Sequence, residues 1–296
     1  MGKGFLLSPE QAEDLLQRNP RNKDVLFPYL NGEDLNSRPD CSASRWVINF
    51  HDWPEERARE YSEVFAIVER NVKPERLKVK HSKNAREKWW LYERSRPELY
   101  SKISGLDRVL VVALVSRTVM PVSVPTGQVF SHMLGVFAAS DPAYLALLNS
   151  NIHYSWAITR GSSLKGDLRY TPSDIYETLP LPTCSSAMAT AGINLDQVRR
   201  SIMLRRGVGL TTLYRLVHDL NVIDSDIQDL RAVHVEIDRA VLRAYEWHDL
   251  NVHHDFVATR QGTRFSLPQS VRTEVIDRLL ELNHAQRAGG GESMLF

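Results

Sequence analysis

Seven consecutive apolar residues, Val109-Leu110-Val111-Val112-Ala113-Leu114-Val115, form the longest fully apolar run of the chain. The run is far short of the ~20 residues that a membrane helix needs, and its valine-rich, non-alternating texture is that of a buried strand. Two further stretches of the same texture follow, Val119 to Val124 and Leu134-Gly135-Val136-Phe137-Ala138, separated by Pro, Gly and Ser. The 296 residues supply enough chain to bury such strands in one large or two medium domains. No positively charged, then apolar, pattern opens the chain, so a secreted reading drops out with the membrane one. Cys41 and Cys184 lie far apart and belong to no C-x-x-C pair or Cys/His cluster, which disfavours a disulfide framework and structural zinc and makes a reducing cytoplasm the expected setting.

Before the apolar run, the polar and turn-rich stretch from Asn31 to Asp40 precedes Arg45-Trp46-Val47-Ile48-Asn49-Phe50, which reads as a strand. Asp52-Trp53-Pro54-Glu55 has the form of a capping box. The spacing of Ala58, Tyr61, Phe65, Val68 and Val72 predicts one helix to about Val72. Pro74 restarts the chain into a second helical stretch, basic at first and aromatic at Trp89, Trp90 and Tyr92. After the strands, Asp141-Pro142 has cap chemistry for a helix through Leu145, Leu148, Ile152 and Trp156, and Arg160 to Tyr170 reads as a polar loop. The small-residue run Ser185 to Gly192 reads as a linker. Beyond it four helices are predicted: Leu195 to Arg206, about Thr211 to Leu220, about Asp226 to Trp247, and a last one opened by Ser266-Leu267-Pro268-Gln269. The fold class is therefore α+β: a mixed α/β domain over residues 1–183, a small helical domain over 194–287, and a disordered tail over 288–296.

Charge patterning points to a partner. Lys and Arg exceed Asp and Glu by only one over the whole chain, which by itself argues against nucleic acid. From Arg70 to Arg96, however, ten basic residues stand against three acids. Such a run is either a solvated helix face or a set of phosphate contacts. The turn Val115-Ser116-Arg117-Thr118 and the Arg160–Tyr170 segment also present the Ser, Arg and Lys that can reach base edges.

Catalytic motifs are weak. Asp141-Pro142-Ala143-Tyr144 superficially matches the acidic-Pro-Pro-aromatic motif of amino-methyltransferases, but the second proline is missing and no strand with a glycine-rich turn precedes it; a helix cap explains it. Gly207-Val208-Gly209 falls between helices and reads as a helix break. His234-Val235-Glu236 lacks the P-C-x-x-C partner of a zinc deaminase; His234 reads as a core histidine, and Glu236 and Asp238 as solvated surface charges. Pro39-Asp40 lacks the downstream acidic-x-Lys strand of a nuclease.

Several motifs in a fixed order carry a family resemblance: Leu26-Phe27-Pro28-Tyr29-Leu30-Asn31-Gly32-Glu33-Asp34-Leu35-Asn36, Trp46-Val47-Ile48-Asn49-Phe50, Val72-Lys73-Pro74-Glu75-Arg76, Lys88-Trp89-Trp90, Tyr170-Thr171-Pro172-Ser173-Asp174, and His234-Val235-Glu236-Ile237-Asp238-Arg239-Ala240-Val241. With these the chain resembles the C-terminal half of the MmeI-like single-chain restriction-modification enzymes, namely the target recognition domain and the helical region after it. The family's S-adenosylmethionine loop, Asn-Pro-Pro-aromatic motif and nuclease motif have no counterpart here. The Met1-Gly2-Lys3-Gly4-Phe5 start resembles an interior stretch of those enzymes, which implies a split or truncated gene, the alternative being a separate specificity subunit.

The resemblance implies a module that reads double-stranded DNA for an adenine-N6 methyltransferase. It binds no cofactor of its own, and S-adenosylmethionine belongs to a methyltransferase domain, with or without a nuclease, on another chain or upstream. The implied DNA contacts are Ser116 and Arg117 in the turn, Arg160, Ser162, Ser163, Lys165 and Arg169 in the loop, and Lys73, Arg76, Lys80, Lys83 and Arg86 in the basic stretch. No catalytic or metal-binding residue is implied. The alternative is a degenerate methyltransferase fragment with residual activity or none.

Overall fold

The computed structural model describes residues 2–164, 167–259 and 262–288. It is an α+β fold with four small sheets among the described residues. Among them, no helix is long and apolar enough to cross a membrane. The chain does not divide at residues 185–192. It forms two interleaved compact units, one of residues 1–31, 43–107 and 125–131, the other of 32–42, 108–124 and 132–296.

The first unit is built on a sheet ordered Leu6–Leu7, Arg45–Ile48, Leu26–Leu30, Val129–Phe130, antiparallel except for its last pairing. The predicted strand at Arg45 is thus present. A reciprocal capping box opens the helix Pro9–Arg18, in which Ser8 Oγ accepts from the Gln11 amide at 3.2 Å and the Ser8 amide donates to Gln11 Oε1 at 2.9 Å. The Asp52 box does not form. The helix there starts at Glu55 with Pro54 as an N-cap that makes no side-chain bond, stops at Arg59, and resumes as Ser62–Asn71. The break lies at Tyr61, whose ring stacks on Trp53 and whose hydroxyl donates to Asp24 Oδ2 at 2.9 Å. The predicted apolar stripe nevertheless holds, since Ala58, Tyr61, Phe65, Val68 and Val72 all enter the core.

The basic stretch is not one helix but two short ones, Lys73–Leu77 and Lys83–Glu87. Arg86 closes the loop between them by donating to the Val79 and Lys80 carbonyls at 2.7 and 3.1 Å. Trp89 and Trp90 anchor its end in the core, each burying on the order of 200 Å². Their neighbourhood is pinned by polar tips, with Trp90 Nε1 donating to the Trp53 carbonyl at 2.9 Å and the Tyr92 hydroxyl to the Ile48 carbonyl at 2.6 Å.

In the second unit the apolar run supplies the central strand, Arg108–Ala113, of a sheet flanked by Val122–Pro125 and Leu134–Phe137. Every residue from Val109 to Ala113 is buried, as the sequence texture requires. Asp141 caps the next helix, Pro142–Asn149, by accepting from the Ala143 amide at 2.8 Å. Ser150 then interrupts the predicted single helix. Its hydroxyl donates to the Leu147 carbonyl at 2.7 Å and accepts from the His153 amide at 3.1 Å, ending one helix and starting the next, Asn151–Arg160.

The run Ser185 to Gly192 is helical, not a linker. It forms the first turns of Ser186–Arg206, with Met188, Ala191 and Gly192 buried. A Cβ at Gly192 would stand 2.8 Å from the Pro142 carbonyl carbon and 3.3 Å from the Ala146 nitrogen, with the Pro142 oxygen nearer still. Small residues are therefore what lets the two helices touch. Across the same interface the buried guanidinium of Arg199 donates to Asn149 Oδ1 at 3.1 Å and to the Pro121 carbonyl at 3.0 Å. The helix ends as predicted at Gly207, which lies in the left-handed region at φ +64°, with Val208 N–H bonded to the Met203 carbonyl and Gly207 N–H to that of Leu204.

Helices Leu210–Val217, Ser225–Ala244 and Gln269–Ala288 follow, together with a hairpin, Asp255–Thr259 with Gly262–Ser266, that the all-helical expectation for this region missed. Arg231, buried, closes the end of the first of these helices through the Leu216, Val217, Asp219 and Val222 carbonyls. His234 is the core histidine the sequence implies, held at 2.9 Å from the Tyr214 hydroxyl. Asp238, in contrast, is not a solvated charge. It is fully buried and accepts from the Asn151 amide and side chain and from His254 Nε2, each at 2.7 Å. Three donors thus converge on Asp238, and Ser266 in turn donates to Asn151 Oδ1.

Candidate nucleic-acid interface

The segment after Arg160 is a strand pair rather than a loop. Ser162–Leu164 pairs with Asp167–Arg169, and the latter with Val115–Ser116, giving one three-stranded antiparallel sheet. Strand periodicity sorts its residues by face. Leu168 and Ser116, which are register partners, are buried, whereas Arg169, Ser162 and Val115 stand in one cross-strand row of which Arg169 and Ser162 are exposed. Arg117 follows at the end of its strand with 77% of its side chain exposed and Nε 3.0 Å from Asp167 Oδ1. Residues fifty positions apart in the chain thus share one outward edge. An exposed pair of this kind contributes at most ~1 kcal/mol, so the Arg117 guanidinium is readily exchanged onto a phosphate or a guanine edge.

The remaining sequence candidates of this unit are distributed differently. Ser116 is buried, its hydroxyl 3.0 Å from Thr118 Oγ1 and accepting from the Thr118 amide at 3.2 Å, so it shapes the turn that presents Arg117. Arg160 lies over the Trp156 ring and donates to Asn283 Oδ1 at 3.3 Å, which ties its helix to the last one. Ser163 is paired with Leu168 through the backbone; Lys165 lies outside the described residues. His153 backs the sheet from within the fold, bridging the Leu148 carbonyl at 2.7 Å and the Tyr170 hydroxyl at 2.9 Å. Burial pushes its pKa down to about 4.

In the first unit the five basic candidates divide by role. Lys80 and Lys83 are exposed, the latter 3.5 Å from Glu87. Arg76 is buried beside Glu93, Arg86 closes its loop, and Lys73 bonds Glu69 at 2.8 Å while its ammonium stands over the Trp89 ring. Of the five, Lys80 and Lys83 are the ones exposed to solvent. Among the described residues no group of three or more His, Cys, Asp or Glu is placed to hold a metal ion.

One contributor was missed by the sequence reading. Arg264, on the hairpin strand Gly262–Ser266, is buried over the Tyr154 ring and donates to the Arg117 carbonyl at 3.2 Å, fixing the backbone of the exposed arginine. Its signal was available in the alternation of Phe256, Ala258, Thr263 and Phe265 around Gly262.

Comparison with known proteins places this arrangement. The family described as "MmeI, target recognition domain" matches residues 1–183. The chain belongs to that family. Over 96% of its length it also superposes on a solved structure, that of the Type IIL restriction-modification enzyme MmeI in complex with DNA, with a TM-score of 0.61 and 18% sequence identity. With 96% of the chain covered, the likeness in fold extends past residue 183 into the helices. This chain covers 34% of that enzyme, about a third of its length. No curated protein matches the chain.

Proposed function

We propose that this chain is the target-recognition part of a restriction-modification system, reading a short sequence in duplex DNA on behalf of an adenine-N6 methyltransferase. The observation that carries the reading is the outward edge on which Arg117, Ser162 and Arg169 are gathered by a three-stranded sheet, in a chain of the MmeI target recognition family. Support also comes from the solved MmeI enzyme, which was captured with DNA. Guanidinium and hydroxyl groups are the usual readers of base edges, while exposed lysines such as Lys80 and Lys83 fit phosphate contacts that position without selecting. Methyl transfer, with S-adenosylmethionine, belongs in this scheme to a methyltransferase domain outside these residues, with or without a nuclease. Two free cysteines, Cys41 and Cys184, fit a cytoplasmic setting.

A methyltransferase site of the chain's own finds no support at Asp141, whose carboxylate is spent on the Ala143 amide. The test is fluorescence anisotropy with a pool of random duplexes followed by selection. One sequence should be enriched, affinity should fall steeply with salt, and Arg117→Ala should cost ~1–3 kcal/mol on the selected site if the guanidinium reads a base. Absence of duplex binding at low salt, alone or with an added methyltransferase domain, sinks the proposal.

A further inference from the structure

Six residues of the second unit, Arg117, Thr211, Arg215, His218, Thr263 and Arg264, converge on a cleft of about 390 Å³. Three guanidiniums, two hydroxyls and an imidazole supply donors to this lining, which Thr118, Tyr214 and the apolar Leu220 complete. Asp219 also borders the cleft, but its Oδ1 already accepts from the amide and side chain of Asn221 at 2.9 and 3.1 Å.

His218 is the informative member. Its Nδ1 lies 3.2 Å from the Phe265 amide, and since an amide can only donate, Nδ1 is the acceptor and the ring proton sits on Nε2. Burial, with the charges of Arg264 and Arg231 and the neighbouring His234, pushes the pKa of His218 well below the ordinary histidine range and so keeps the ring a neutral donor. Yet Nε2 is buried without a hydrogen-bond partner among the described residues. A buried donor left in this state is costly, and such orphans call for an explanation. His218 borders the cleft, and an acceptor that enters there supplies one once the atoms covering Nε2 give way. The charge of the arginines selects an anion, and donors arriving from three separate elements suit a tetrahedral oxyanion with several acceptor oxygens.

We infer that this cleft seats a phosphate of the DNA backbone, with His218 Nε2–H and the exposed Arg215 as its donors. The inference rests on the DNA-recognition reading above. Arg117 borders both the cleft and the outward edge of the reading sheet, so a phosphate held here fixes the register in which that edge meets the bases.

The experiment uses the full chain with 15N-labelled histidine, titrated first with inorganic phosphate and then with a duplex oligonucleotide. The His218 Nε2 resonance is expected to move with both, and Arg215→Ala to weaken the phosphate response and lower the salt slope of duplex binding by about one. His218→Asn keeps an acceptor for the Phe265 amide and removes the Nε2 donor; with an unchanged urea midpoint it should bind the duplex about five- to tenfold more weakly. If the duplex binds and neither ligand moves the resonance, the phosphate seat is overturned while the recognition reading stands. If phosphate moves it and a bound duplex does not, the seat belongs to a free phosphate ligand and its assignment to DNA falls. If no duplex binds at all, the recognition reading falls and takes the DNA assignment with it.

Discussion

Replacing Gly192 by alanine sets two physical effects of opposite sign against each other. Gly192 lies inside the helix Ser186–Arg206, and an alanine in a helix interior is favoured over glycine by ~1 kcal/mol. Helix propensity alone therefore makes Gly192→Ala stabilising. The structure reverses the sign. The new methyl would press on the Pro142 carbonyl, 2.8 Å from its carbon, and on the Ala146 nitrogen at 3.3 Å, and these are backbone atoms that no rotamer change can move. Relief requires the helices Ser186–Arg206 and Pro142–Asn149 to part by about 1 Å, a strain of ~1–3 kcal/mol for overpacking. Parting them also stretches the bonds from Arg199 to Asn149 and Pro121, 3.1 and 3.0 Å long, and charge-assisted bonds of this type contribute ~1.5–3 kcal/mol. Net of the propensity gain, the variant should be destabilised by ~2–4 kcal/mol. Urea unfolding followed by far-UV circular dichroism measures this directly through the midpoint at constant m-value. A variant as stable as the parent, or more so, refutes the account of the small-residue run as a close-packing face.

Two further outcomes test the core. His153 and His234 are buried and each is pushed down to about 4, burial being the main cause. Because the folded pKa lies below the unfolded one, the unfolded chain takes up protons that the native state refuses as pH falls from about 6.5 to about 4, and stability drops over that window by up to ~3 kcal/mol per histidine. Urea midpoints at pH 7.5 and pH 5 should differ in that direction, and equal midpoints would argue that both rings are protonated in the fold. Arg231→Met leaves four carbonyls without their shared donor and should cost ~3 kcal/mol or more; a loss under ~0.5 kcal/mol by the same assay would show that water replaces the guanidinium.

What the sequence disclosed follows from what local pattern can encode. The strand Arg108–Ala113 was legible because an unbroken apolar run has few other solutions, and Asp141 and Gly207 because caps are local. The run Ser185–Gly192 was misread because small residues serve equally in a linker and where two backbones must meet, and only the partner helix at Pro142 decides between them. Asp238 looked like a surface charge since its partners, Asn151 and His254, arrive from distant parts of the chain. Of the candidate site, Arg117 and Arg169 were placed on the surface by their own character, whereas the burial of Ser116, expected as a contact, was not legible because it depends on pairing with Leu168. His218 carried no local signal of a site, and Arg264 only that of its hairpin. The significance of His218 comes from a hairpin that brings the Phe265 amide to its Nδ1.

The interleaving of the two units bears on how specificities of this kind can be exchanged. The chain passes between the units five times before residue 133, so a genetic crossover within residues 33–130 divides both units between the two parents. Homologous recombination in this region should mostly yield unfolded hybrids. The strands Val115–Ser116, Ser162–Leu164 and Asp167–Arg169 escape this constraint, since their outward residues can be altered one at a time while the buried partners Ser116 and Leu168 stay in place. On the function proposed above, new sequence preferences are reached by point changes along one edge more readily than by shuffling of whole segments.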